Sequence, residues 1–147
     1  MTPFTDIYSL ALELIKDYRL DSLAKKDYDS FLIQMEGILI QAIPRFTGSL
    51  TPLDYDLTKI PPSFNNTLTL LEQSILADYM VLIWFMKDTN DITHVNLKLQ
   101  GRDKKTHASE ANLKGKAKYL NDLKEMNSLR INEYQLSGDN FNKIFGL

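Results

Sequence analysis

Residues Thr67–Lys87 read TLTLLEQSILADYMVLIWFMK and form a long apolar stretch. Thr69 followed three residues later by Glu72 is a capping-box pattern, in which each side chain accepts a hydrogen bond from a backbone amide of the first turn. The pattern therefore predicts a helix that starts here. From Tyr79 to Met86 this helix is apolar on every side, which is typical of a helix surrounded by other elements. The predicted core residues of the helix are Ile75, Tyr79, Leu82, Trp84 and Met86.

A membrane span is the alternative interpretation of this stretch. Crossing a bilayer takes about 20 mostly apolar residues, whereas this stretch contains Glu72 and Asp78 and ends at Lys87. We therefore expect the central helix of a small globular domain that does not contact a membrane. The first residues also lack the basic and long apolar segments of a secretion signal, so we expect a protein made and used inside a cell.

Two amphipathic segments precede the central helix. Thr5 is predicted to cap a first helix, and a short connection at Arg19–Ala24 leads to a second helix from about Lys26. Pro44 should end the second helix because it disfavours helical geometry at Ile43. We expect the two helices to pack as an antiparallel pair. Their apolar stripes are Ile7, Leu10, Ala11, Leu14 and Tyr18 in the first helix, and Tyr28, Phe31, Leu32, Met35, Ile38, Leu39 and Ala42 in the second.

Residues 47–66 show no sustained period and contain Pro52, Pro61 and Pro62, so we predict an extended loop. Loops of this length are uncommon in compact domains unless they are functional. The large apolar side chains of the loop either pin it to its own bundle or are ordered by a partner, and the sequence leaves both open. These side chains belong to Leu53, Tyr55, Leu57, Ile60 and Phe64.

The chain beyond the central helix is predicted to hold one further long helix and a tail. We interpret Asp88–Asp91 as the end of the central helix and the start of a short helix closed by Gly101, with a strand as the alternative for residues 95–99. Ser109 is expected to cap the last helix. Large apolar residues in the tail predict that it docks on a surface. The stripe of the last helix is Leu113, Ala117, Leu120, Leu123, Met126 or Asn127, Ile131 and Tyr134.

The predicted fold is therefore all-α. A small bundle of four main helices carries a long proline-containing loop and an extended C-terminal tail. The bundle domain spans residues 1–136, and the docking tail spans residues 137–147.

Charge is unevenly distributed, although the net formal charge is only −2. Acidic residues predominate before the central helix, whereas residues 98–118 are strongly basic. This basic segment either binds nucleic-acid phosphates or contacts an acidic surface of another copy. We favour the second because the isoelectric point of about 5.7 is low for a free-standing nucleic-acid binder. The residues singled out are Lys98, Arg102, Lys104, Lys105, Lys114 and Lys118.

The sequence shows no catalytic or metal-binding pattern. There is no cysteine, and His94 and His107 have no partners at the spacing of zinc ligands. Ser109 lies close to His107, but a serine nucleophile also needs an oriented base and an oxyanion hole. Asp54 and Asp56 lack the further oxygen ligands of a calcium loop. We therefore expect neither an enzyme nor a bound metal or cofactor.

Three segments occur in an order that resembles a known family. An amphipathic helix pair ends in AIPRF (residues 42–46), FNNTLTLLEQSILADYMVLIWFMKD follows (64–88), and HASEANLKGKAKYLNDLKEMNSLRINEYQL comes last (107–136). Over about residues 4–136 the chain resembles the small helical head–tail connector, or adaptor, proteins of tailed bacteriophages and related prophages. The more telling pieces are LTLLEQSILADYM and SEANLKGK.

The resemblance implies a structural protein of the virion neck that is made in the host bacterial cytoplasm. Copies would form a dodecameric ring under the portal protein, extend the DNA channel, and offer their other face to a stopper or tail-completion protein. The basic segment would then form subunit contacts or face the DNA, which it would contact non-specifically. The C-terminal segment would dock on the portal through Phe141, Ile144, Phe145 and Leu147. The alternatives are a basic-patch helical nucleic-acid-binding protein and a generic helical interaction module of another assembly.

Overall fold

The computed structural model describes residues 1–99, 106–137, 142–143 and 145–146. The side chains of residues 18, 89–99 and 106–113 are outside this description. Most of the described chain is helical. In chain order the elements are β1 (Thr2–Pro3), α1 (Phe4–Leu14), α2 (Tyr18–Lys26), α3 (Tyr28–Ala42), a 3₁₀ turn (Ile43–Arg45), β2 (Tyr55–Asp56), β3 (Ser63–Phe64), α4 (Leu70–Leu99) and α5 (Thr106–Leu136).

The start of α4 confirms the predicted capping box. Thr69 Oγ1 accepts a hydrogen bond from the Glu72 amide at 3.2 Å, and Glu72 Oε2 accepts one from the Thr69 amide at 3.0 Å. The helix then packs against α1, α3 and α5. Contact with three helices explains why its middle is apolar on every side. In the described part of the chain, no helix is long and apolar enough to cross a membrane.

The predicted break at Asp88–Asp91 is wrong. α4 continues through it to Leu99 as one helix of 30 residues, which also excludes the strand alternative for residues 95–99. Asp88 is held within the helix by two cations, Arg19 and Lys116, so its carboxylate does not cap a new helix. Gly101, the predicted stop, lies outside the described residues.

The N-terminal predictions need three corrections. Pro3 rather than Thr5 occupies the N-cap of α1, and Leu14 is 56% exposed instead of buried. Residues Arg19–Ala24 lie in α2, which starts where Asp17 Oδ1 accepts a hydrogen bond from the Arg19 amide at 2.7 Å. The predicted pairing of the first two long helices is also wrong, because α1 packs mainly against α4 while α2 packs against α3.

α3 follows its prediction closely. Asp27 caps it by accepting hydrogen bonds from the Ser30 amide at 3.1 Å and the Ser30 hydroxyl at 2.6 Å. These hydrogen bonds lower the pKa of Asp27. The helix ends at Ala42, next to the predicted stop at Pro44. The predicted apolar face is buried or half-buried except at Tyr28, which is 57% exposed.

The fold is not purely α-helical, because it also contains a small three-stranded sheet. The strands lie in the order β1-β3-β2, and both pairings are antiparallel. Phe64 in the middle strand pairs with Thr2 on one side and Tyr55 on the other. The loop of residues 47–66 is therefore tied to the N-terminus and the core of its own chain.

α5 starts before its predicted cap, because Ser109 lies inside the helix. Between the alternatives Met126 and Asn127, the structure turns Asn127 inward: Asn127 is 6% exposed and Met126 is 63% exposed. Asn127 Nδ2 lies 3.5 Å from the Asp78 carbonyl oxygen, so its amide faces α4. Ile131 and Tyr134 continue the buried row, as predicted.

Candidate functional site

Trp84 is the most prominent side chain of a candidate interaction site. The sequence predicts it in the core with Ile75, Tyr79, Leu82 and Met86. Three of these predicted core residues, Ile75, Tyr79 and Leu82, are buried, but Trp84 and Met86 are only half-buried at the edge of the core. Trp84 is therefore accessible to a binding partner.

Two neighbouring grooves share the Trp84 side chain. One has a volume of about 320 Å³ and lies where α2, α3 and α4 meet, with Leu20 and Leu23 in its apolar wall. The other has a volume of about 240 Å³ and lies where the end of α1 approaches α4 and α5, beside Val81 and Tyr119. Each groove combines an aromatic surface with charged rims, so each can hold a partner's side chain or a small ligand.

A group of opposite charges separates the grooves. Arg19 Nη2 lies 2.5 Å from Asp88 Oδ1 and 3.5 Å from Asp17 Oδ2, while Lys116 Nζ lies 3.6 Å from Asp88 Oδ2. The hydrogen bond to Asp88 and the Asp17 charge raise the pKa of Arg19. These ion pairs connect α2, α4 and α5 beside the grooves. Sequence reasoning missed this group because its members are far apart along the chain.

A buried polar network lies at the other end of α4. Glu72 is 3% exposed, and its Oε1 accepts hydrogen bonds from the Thr51 hydroxyl at 2.8 Å and the Tyr134 hydroxyl at 2.9 Å. The Tyr134 hydroxyl in turn accepts one from the Leu50 amide at 3.0 Å. Burial raises the pKa of Tyr134. The network fastens the 47–66 loop to both α4 and α5, so its role is structural.

A second polar contact fixes α5 to α4. The Arg130 guanidinium pairs with the Asp78 carboxylate and donates a hydrogen bond to the Ser74 hydroxyl at 2.6 Å. Burial raises the pKa of Asp78, and the neighbouring Arg130 charge opposes this effect only in part.

Asp78 should give the fold an unusual pH dependence. Its ordinary pKa is 3.8, and the raised value means that the folded state binds this proton more tightly than the unfolded state. The stability contribution of this carboxyl group therefore falls as pH rises from 3.8 through the raised pKa. We expect the stability difference between the parent and Asp78→Asn, measured by urea unfolding, to favour the parent less at pH 7 than at about pH 4. A parental advantage that grows with pH would show that the Arg130 charge dominates.

Truncating the Trp84 side chain should destabilise the fold only moderately. Trp84→Ala should lower the free energy of unfolding by about 2 kcal/mol, because part of its large apolar surface stays in contact with water. Since Trp84 is the only tryptophan in the chain, acrylamide should also quench the native fluorescence. A loss of about 4 kcal/mol with unquenched native fluorescence would instead place Trp84 in the core.

The predicted basic and tail residues are only partly described. Lys114 and Lys118 are exposed on α5, and Phe145 is 60% exposed. The Lys98 side chain, Arg102, Lys104, Lys105, Phe141, Ile144 and Leu147 lie outside the described residues. His94 and His107 also have side chains outside this description.

The apolar loop residues separate into two groups. Phe64 is fully buried, and Leu53 is half-buried against the core. Tyr55 is 36%, Leu57 45% and Ile60 99% exposed. Phe64 therefore packs in the core of its own chain, whereas the exposed loop tip is accessible to a neighbouring molecule.

The comparisons with known proteins identify no relative. No protein-family model, curated protein or solved structure matches the chain. Among the described side chains, no three His, Asp or Glu residues are grouped so as to hold a metal ion.

Proposed function

We propose that the chain is a head–tail connector protein of a tailed bacteriophage, with a structural rather than a catalytic role. Copies form a ring between the portal protein and a stopper or tail-completion protein, and the ring extends the DNA channel. Its dodecameric size and its place in the virion neck come from the sequence resemblance.

An exposed basic stretch of α5 is the observation that carries this proposal. Lys114 and Lys118 are exposed in residues 114–118, which contain no acidic residue, and the exposed acids Glu13, Asp21 and Asp29 on the first three helices offer partners of opposite charge. Such a pairing between different surfaces of two copies is a head-to-tail contact, which is the type of contact that closes a ring. The basic stretch meets acidic residues of the next subunit in this arrangement.

Exposed apolar residues provide the contacts to other proteins. Phe145 lies in the tail that the resemblance assigns to the portal, and its side chain is 60% exposed. Ile60 and Leu57 form an apolar loop tip that is accessible to a neighbouring subunit. The partly exposed Trp84, between its two grooves, offers a further contact. A helical chain with several separate contact surfaces fits a connector with neighbours on each side.

Binding to a portal protein tests the function. The chain should co-elute in size-exclusion chromatography with the portal protein encoded in the same phage genome. Phe145→Asp should abolish co-elution, because it places a charge in the apolar tail contact. Leu70→Asp is the matched control, since Leu70 is 72% exposed at the start of α4, where an acidic residue favours the helix.

Two results would count against the proposed function. One is the absence of co-elution with the portal at low salt. The other is binding to random duplex DNA, steeply weakened by salt, without any portal binding, which would favour the nucleic-acid alternative.

A further inference from the structure

We propose that the outer face of α5 binds a second copy of the chain as an antiparallel helix pair in the free protein. This face lies beside the buried row of α5, and its residues are all exposed. They are Gly115, Lys118, Tyr119, Asp122, Glu125, Met126 and Leu129. At the edge of this face, Tyr119 also contacts Phe85 of α4, with ring centres 4.7 Å apart. The pair does not depend on the proposed connector role. Lys118 belongs to both surfaces, so the pair of the free protein is replaced by the ring contact on assembly.

α5 has a second row of apolar side chains, which are mostly exposed and lie beside the row that is buried against α4. Tyr119 is 49%, Met126 63% and Leu129 62% exposed. With Gly115 and Asp122, these positions alternate in steps of three and four residues, which is the spacing of a seam between two paired helices. A helix with two such rows is suited to pack on two sides.

The charges on the outer face select another copy of the same helix as its partner. The cation Lys118 precedes the acids Asp122 and Glu125 along the face. A parallel pair in register would place the seam residue Asp122 beside its own equivalent. An antiparallel pair brings Lys118 near the partner's Glu125, and the two-fold symmetry forms this contact twice. The face is therefore electrostatically complementary to itself in one orientation.

Side-chain size selects the same alignment. A pair centred between Leu120 and Asn121, near the middle of α5, places Gly115 opposite the partner's Met126. A Cβ atom added at Gly115 would meet nothing within 4 Å, so the surface there is open to a partner. Methionine is long and flexible enough to fill such a gap. One alignment thus satisfies both the charges and the side-chain volumes.

Sedimentation equilibrium of the full chain, with charge reversals, tests the pair. The parent should show a monomer–dimer equilibrium that salt weakens. Lys118→Glu should raise the dissociation constant about tenfold, because two attractions become two repulsions. Adding Glu125→Lys should restore the parental constant, since the double variant has the parental net charge and the reversed pair. A monomer at about 1 mM, or a double variant as weak as the single one, would overturn the proposal.

The variant Gly115→Leu tests the helix pair without destabilising the folded monomer. Leucine is the better helix former, so the melting temperature of the dilute monomer should not fall. The dimer should nevertheless weaken about tenfold, because leucine fills the space for the partner's Met126. A dimer unchanged or strengthened by Gly115→Leu would contradict this alignment. Portal binding can be measured on Gly115→Leu, which keeps the charges of the proposed ring contact, so failure of the pair and failure of the connector role are distinguishable.

Discussion

Replacing Phe64 with alanine should lower the free energy of unfolding by about 4 kcal/mol. Phe64 is fully buried in the middle strand of the sheet, and its ring centre lies 4.9 Å from that of Phe4 and 6.4 Å from that of Tyr55. Truncation removes these contacts and leaves a cavity between the N-terminus, the loop and the core. The variant should lose both packing and the attachment of the loop.

Urea unfolding at a low protein concentration measures this loss. Ile60→Ala is the matched control, because Ile60 lies in the same loop and is 99% exposed. Its free energy of unfolding should change by no more than about 0.5 kcal/mol. If both variants were equally stable, the loop would not be part of the core, and Phe64 would be available to a partner.

Glu72→Ala should lower the free energy of unfolding by about 3 kcal/mol. The change removes the acceptor used by the Thr51 hydroxyl, the Tyr134 hydroxyl and the Thr69 amide. It also removes half of the capping box at the start of α4. Buried donors that lose their acceptor keep the cost of their own desolvation, so the loss exceeds that of one exposed hydrogen bond.

A double-mutant cycle with Tyr134→Phe tests whether these groups act together. Phenylalanine keeps the ring and removes the hydroxyl that joins Leu50 to Glu72. The double variant should lose about 1 kcal/mol less than the sum of the two single losses, since each single change removes the same hydrogen bond. Glu13→Ala, at an exposed site of α1, is the control for loss of a glutamate. Additive losses for Glu72 and Tyr134 would mean that the network is not coupled.

Local sequence signals predicted much of the helical structure. The capping box placed the start of α4, and Pro44 marked the end of α3, because both act within one or two turns. α2 was missed because its nine residues lack a long apolar stripe, although Asp17 was a usable capping signal. The sheet was missed because its strands have only two residues each, which is too short for an alternating pattern.

Contacts distant in sequence account for the other errors. Asp88 resembles a helix terminus in the sequence, yet it stays inside α4 because Arg19 and Lys116 neutralise it. The partly exposed position of Trp84 depends on how α1, α2 and α5 pack around α4. No periodicity in the α4 sequence specifies that arrangement, so the grooves beside Trp84 could not be predicted.

The sequence predicted part of the outer face of α5. The stripe allowed either Met126 or Asn127 to face inward, and the spacing alone could not choose between them. The structure turns Asn127 toward the Asp78 carbonyl, which leaves Met126 outside. That assignment exposes the second apolar row and leads to the proposed helix pair.

Electron microscopy of the chain mixed with its portal protein tests the central claim most directly. The connector role predicts a closed ring of additional density on the portal axis, with a central channel continuous with that of the portal. Portal particles that keep their original outline at saturating concentrations of the folded chain would contradict it.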